Sequence, residues 1–455
     1  MKKLKNLITA AFLLALPMIM NAQNIIDFAG NGNIGYGGDG FPANSGVCEL
    51  YQPVGVYVDK FGNTYISDNA NNVIRKVNTS GIISTFAGIR MLGFGGYSGD
   101  GGPATEAELN VPEGVSGDIN GNIYIADYDN GVIRMVNTSG IISTVAGSGY
   151  RGFSGDGGPA TNAEIYLPTY VFIDAHENMY ISDYGNSRIR MINALGIIST
   201  YAGNGDISYS GDGGPATAAE IAYPLSIYGD SAGNIYISGE SDVIRKVNSS
   251  GVISTIAGNG TRAFSGDGGP ATSAELDFPC GLCFDASGNL LFCDGGNARV
   301  REINTSGIIS TIAGNGDGGY SGNGGPATAA ELFGPWGIAI NQYGNVCFAD
   351  EGNNVVREIV YQPTGIEDTS DNWEILIYPN PTNQNLNLQF NKQPIGLATL
   401  SVIDITGREI LNSQFTPGNY VGTQFTIDVS SLSAGMYFVN VKTKDNFFKQ
   451  KFIKD

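Results

Sequence analysis

One phrase recurs through the chain and limits its fold more than any other feature. YSGDGGPATEAELNVPEGV, residues 97–115, returns as FSGDGGPATNAEIYLPTYV, YSGDGGPATAAEIAYPLSI, FSGDGGPATSAELDFPCGL and YSGNGGPATAAELFGPWGI. A looser copy, YGGDGFPANSGVCELYQPVGV, stands first. The unit length is roughly 56 residues, a period typical of propellers and solenoids. The stretch after the phrase in the second copy, PEGVSGDINGNIYIADYDNGVIRMVNTSGIISTVAG, divides into four short β-branched or aromatic runs bounded by Gly, Asn, Asp and Ser. Asn120-Gly121 is a hairpin signal between the first two runs. Four strands per unit, with no helical period between units, is the pattern of a propeller blade.

The two ends of the array sharpen this. The sixth unit runs through GNVCFADEGNNVVREIV and stops without a fourth strand. NIIDFAGNG, residues 24–32, matches GIISTIAGNG at the end of the fifth unit. The expected fold is all-β: a six-bladed β-propeller over 23–362, closed by that N-terminal strand. Its units centre on Pro53, Pro112, Pro168, Pro224, Pro279 and Pro335. Closure removes sheet edges that invite aggregation.

Residues 1–22 have the pattern of a signal peptide, with Lys2, Lys3 and Lys5 before an apolar stretch that ends at Ala22. No later stretch is apolar enough to span a bilayer, so no transmembrane span is expected in the mature protein. The formal net charge of −19 argues against a basic groove for nucleic acid. Five cysteines without regular spacing are not a disulfide framework. Cys280 and Cys283 form a CxxC without the second pair or histidines of a zinc site. One bridge, Cys283 to Cys293 across a hairpin, is left open.

After a polar linker at 363–373 the refrain is gone. Residues 374–455 alternate apolar and polar positions between Gly and Asn turns. This implies a small Ig-like β-sandwich of about seven strands.

The run P-x-G-V…D-x-x-G-N-x-Y-I-A-D-x-x-N-x-x-I-R resembles the NHL repeat, a β-propeller module that hosts binding proteins and enzymes alike. The C-terminal segment resembles the type A sorting domain of the Bacteroidetes type IX secretion system. The matching residues are Tyr378-Pro379-Asn380-Pro381, Asp404 with Gly407-Arg408, Leu432 with Gly435 and Tyr437, and Lys451 and Lys454 near the end. That resemblance implies Sec export, then passage by the type IX machinery to the outer surface or medium, with this domain usually cleaved.

The refrain is expected on the face that carries the channel mouth. Its recurring Asp39, Asp100, Asp156, Asp212 and Asp267 are explained by local capping, with Gly supplying left-handed torsions and Pro the exit. A calcium loop needs several oxygens at alternate positions, and each copy offers one carboxylate. The aromatic before each copy is read as an anchor, with a stacking platform as the alternative. Arg75 and its repeats, and Asp68 and its repeats, are read as turn and ion-pair residues that every blade needs. Specificity should lie where blades differ. The residue after each blade proline is Val54, Glu113, Thr169, Leu225, Cys280 or Trp336, and these should line the channel mouth.

His176 is the only histidine and falls in an outer turn, and no nucleophile elbow or triad is present. The expected function is recognition of an extracellular protein, peptide or glycan, with Glu113, Trp336, Tyr97 and Phe94 as ligand-binding residues. No catalytic residue, metal ligand or cofactor is assigned. The alternatives are a calcium-dependent hydrolase or lyase at the mouth, which would take calcium as cofactor, and a structural adhesin.

Overall fold

The structure is a computed structural model. It describes residues 23–91, 93, 95–361, 375–378, 380, 382–390, 398–404, 408–415, 424–442 and 447–454. The expected signal peptide and linker lie outside the described residues, as do Phe94, Pro379, Pro381, Gly407 and the side chain of Tyr378. The chain divides into two compact units, Met1–Pro363 and Thr364–Asp455.

The first unit is a β-propeller built from four-stranded antiparallel sheets. The second repeat shows the pattern, with strands Pro112–Gly117, Ile123–Asp127, Val132–Val136 and Ile142–Ala146 in sequential order. Its first hairpin turn is stapled by Asp118. The Asp118 carboxylate accepts from the Asn122 backbone N–H at 2.9 Å, the Asn122 amide at 2.7 Å and the Tyr124 hydroxyl at 3.1 Å. The D-x-x-G-N-x-Y part of the repeat is therefore turn chemistry. His176 sits in the equivalent turn of the third repeat, its N–H donating to Asp174.

The innermost strands touch in sequence, and the last, Pro335–Ile340, touches the first, Pro53–Val58. Glycine in the Pro-x-Gly step permits this approach. A Cβ on Gly55 would lie 2.4 Å from the Glu113 carbonyl oxygen, and one on Gly337 would lie 2.3 Å from that of Val54. One sheet joins the two ends of the array. Gln23–Ala29 pairs antiparallel with Val355–Tyr361, placing Ile25 opposite Ile359 and Asp27 opposite Arg357.

The refrain departs from expectation. Its Asp-Gly-Gly run lies along the outermost strand of each sheet, away from the central channel. In the second repeat the Gly101 N–H donates to the Ile142 carbonyl at 2.8 Å, and the Ile142 N–H donates to that of Gly102 at 3.0 Å. The same pair of bonds recurs in every repeat, ending with Gly324 and Gly325 on Ile25. The reason is backbone accounting. An outer strand leaves a row of unpaired N–H and C=O groups, and the refrain pairs them.

Cys280 opposes Cys293, because an irregularity between Cys280 and Leu282 shifts the register. Cys283 faces Leu291 in the register set by the hairpin turn, so the bridge to Cys293 does not form, and all five cysteines are free and buried.

The second unit holds two antiparallel sheets among the described residues. One orders Ile375–Tyr378, Asn385–Phe390 and Gln424–Asp428. The other orders Glu409–Phe415, Ala398–Asp404, Gly435–Lys442 and Phe447–Lys454. Leu386, Leu388, Leu400, Val402, Val439, Val441 and Phe452 form its core. Asn380 ties the strand ends, accepting from the Ile453 N–H at 2.8 Å and donating to the Lys451 carbonyl at 3.3 Å. Arg408 pairs with Asp404 at 3.0 Å, and the Tyr437 ring stacks on Phe452 while its hydroxyl donates to the Ser433 carbonyl. Lys454 is buried.

Candidate ligand-binding site at the channel mouth

The repeated polar residues form a pin in each blade. Arg134, on the third strand, is fully buried. Its guanidinium pairs with Asp100 of the refrain at 2.7 Å and Asp127 of the second strand at 3.4 Å. It also donates to the carbonyls of Ser98 and Glu108 and lies 5.1 Å from the centroid of the Tyr97 ring. Burial pushes the Asp127 carboxyl up to about 6, against hydrogen bonds from Asn130, the Asn110 N–H and Arg134. The Tyr97 hydroxyl bonds Thr144 at 2.7 Å. Where Phe replaces Tyr, a second arginine covers the ring: Arg188 over Phe153 at 3.8 Å and Arg299 over Phe264 at 3.6 Å. In the fourth repeat Gly239 replaces the inner Asp, and among the described residues Arg245 keeps only Asp212 as an ion-pair partner.

The sixth repeat moves its charge. The refrain offers Asn323 in place of Asp, and the N-terminal strand supplies Asp27 where other fourth strands carry Thr. Asp27 pairs with Arg357 at 3.0 Å, and its carboxylate accepts from Asn323 at 2.8 Å and from the Tyr320 hydroxyl at 2.7 Å. The carboxylate thus arrives with the strand that closes the array.

The mouth differs from blade to blade. Glu113 is the second residue of its inner strand. Its Oε2 is buried with no hydrogen-bond partner among the described residues. Its carboxyl is pushed up to about 8, first by burial and then by repulsion from Glu351 and Asp129. Glu351 follows the second strand of the sixth repeat, and burial raises its carboxyl too. Glu240 holds the corresponding place in the fourth repeat and accepts from the Tyr184 hydroxyl at 2.6 Å. Aromatic rings lie between these acids: Tyr128 to Tyr184 at 6.4 Å, Tyr184 to Tyr223 at 5.0 Å, and Phe278 to Trp336 at 5.2 Å between centroids.

The backbone here is strained. Val111 and Phe278, each just before a blade proline, have φ of 55° and 56°. The preceding blade holds both turns, the Val111 N–H donating to Asn72 at 2.7 Å and that of Phe278 to Asp242 at 3.0 Å. Below the mouth the bore narrows to a cavity of about 10 Å³ lined by Val54, Thr169, Tyr170, Leu225 and Trp336. That is room for about one water, too little for an organic ligand.

The linkage of Glu113 has a definite sign. The folded carboxyl titrates near 8 and the unfolded one near 4.5, so the folded chain holds a proton that unfolding releases. Stability is expected to fall as pH rises from about 4.5 to about 8 and then level off. Glu113→Gln should flatten that slope in thermal melts taken across this range.

The structure places Glu113 and Trp336 at the mouth. Tyr97 lies outward, over the third and fourth strands of its own blade. Tyr128, Tyr184, Tyr223, Phe278, Glu240 and Glu351 were not singled out by sequence. Their signal was available: Tyr128, Tyr184, Glu240 and Glu351 occupy the position after the second strand, where Asn69 and Gly295 also stand.

Comparison with known proteins sorts the two units. Residues 376–455 match the secretion system C-terminal sorting domain. This domain indicates export by the type IX secretion system to the cell surface or outside. Residues 94–154 match the teneurin NHL domain. Mouse teneurin-1 is 32% identical over 235 residues, which is 46% of this chain but only 8% of teneurin-1. The chain thus spans less than a tenth of the teneurins it matches. Among solved structures, an auxiliary nutrient binding protein from Bacteroides ovatus is similar at a TM-score of 0.56 and 14% identity, over 75% of this chain and 78% of that one. Another from Bacteroides thetaiotaomicron reaches 0.54 at 13% identity, over 74% and 76%. At these identities the likeness is one of fold. Among the described residues no helix is long and apolar enough to cross a membrane.

Proposed function

We propose that the first unit is a six-bladed propeller and the second an Ig-like sandwich that presents the sorting signal. In this reading the exported propeller binds an extracellular protein, peptide or glycan at its channel mouth. One observation carries it: the polar residues common to the repeats are consumed in holding the fold, while aromatic rings and carboxylates gather at the mouth, where the repeats differ. Aromatic anchors beside oriented polar groups are the usual makings of a recognition surface. The similar Bacteroides structures are described as auxiliary nutrient binding proteins. A nutrient-derived glycan or peptide is accordingly the first class to try.

A calcium-dependent hydrolase would need several ligands converging on one point. The mouth acids Glu113, Glu240 and Glu351 come from alternate blades, and no three His, Cys, Asp or Glu side chains are grouped to hold a metal among the described residues. Glycan and peptide arrays probed with the exported chain test the reading. Specific binders whose retention drops on Trp336→Ala would support it, and an array with no binder would count against it.

A further inference from the structure

The buried oxygen of Glu113 asks for a partner. A buried acceptor without a donor destabilises the fold, and more so when charged. The surroundings deepen this deficit. Glu351 and Asp129 repel the Glu113 carboxylate, and the nearby hydroxyl of Tyr128 and thiol of Cys280 both have their pKa raised, in part by Glu113. Arg151, the cation beside Asp129, is already paired with it at 3.0 Å. The mouth therefore gathers acidic groups beside the half-buried rings of Tyr128 and Tyr184.

We infer that the mouth receives an organic cation, an alkylammonium or guanidinium group such as a lysine or arginine side chain of an extracellular peptide. Glu113 is its counter-ion, and Tyr128 and Tyr184 offer the rings over which it lies. Acids spread over alternate blades suit a planar or extended cation better than a single metal ion. This rests on the proposal that the mouth is the binding site, and it names the chemistry bound there.

The test is calorimetric titration of the exported chain with Nα-acetyl-arginine amide and Nα-acetyl-lysine amide. Nα-acetyl-citrulline amide, a neutral isostere of the arginine probe, and calcium chloride serve as comparisons. A cationic probe should bind and the citrulline probe should not. Because Glu113 is charged only above its raised pKa, affinity should weaken roughly tenfold or more between about pH 9 and about pH 6. Glu113→Gln should abolish that pH dependence while melting as a folded protein, and Glu351→Gln should lower its midpoint by removing a repelling charge. Equal binding of the citrulline probe, a response to calcium alone, no binding by either cation, or full affinity in Glu113→Gln would each overturn the inference. A neutral array ligand lost on Trp336→Ala, with neither cation bound, would overturn it while leaving the recognition function standing.

Discussion

Arg134→Ala should destabilise the propeller by about 3–5 kcal/mol, because it strands the buried Asp127 and frees the refrain. The arginine joins five parts of one blade: Asp100, Asp127, the Ser98 and Glu108 carbonyls, and the Tyr97 ring. Losing it removes a charge that two carboxylates were placed to meet. Arg151→Ala is the control. Its pair with Asp129 is half-exposed, and such pairs are worth about 0–1 kcal/mol. Urea unfolding of the two variants beside the parent checks the contrast. Similar losses would mean that the buried arginine is not the pin.

The second large effect is expected at the closure. Asp27→Thr should cost about 2 kcal/mol or more, since among the described residues it leaves Arg357 only Asp350, at 3.4 Å, as a charged partner. Asn323→Asp alone sets a second carboxylate against Asp27, where an amide now donates. The double variant rebuilds the arrangement found in the second repeat, with Asp in the refrain and Thr on the outer strand. It should therefore recover most of the stability, with a coupling of about 1–3 kcal/mol in a double-mutant cycle. Additive losses would show that the swapped carboxylate is not what secures the N-terminal strand.

Much of this fold is legible in the sequence because it is written repeatedly. The period gives the sheets, and the match of residues 24–32 to the end of the fifth unit gives the closing strand. The exchange of Asp between positions 323 and 27 was also visible but became meaningful only with the register. Two expectations failed for local reasons. The refrain reads as one loop on the channel face, whereas its backbone between Gly99 and Pro103 is drawn to the unpaired edge of the outer strand. The bridge left open between Cys283 and Cys293 fails because the hairpin turn sets Phe284 opposite Leu290, which puts Cys283 opposite Leu291. The mouth was half legible. Counting one residue past each proline finds Glu113 and Trp336. Tyr128, Tyr184, Glu240 and Glu351 follow the second strand, a position that also varies between blades and so carried the same signal.

The central claim is that the refrain holds the fold and the mouth does the binding. The most direct measurement is one array experiment with the exported chain, its Glu113→Gln variant and its Tyr97→Phe variant, each shown by melting to be folded. Phe already occupies the refrain position in two blades, so Tyr97→Phe should keep the parent's binding pattern, while Glu113→Gln should lose or reshuffle it. Loss of binding in Tyr97→Phe with the pattern intact in Glu113→Gln would place the site on the refrain and contradict the account.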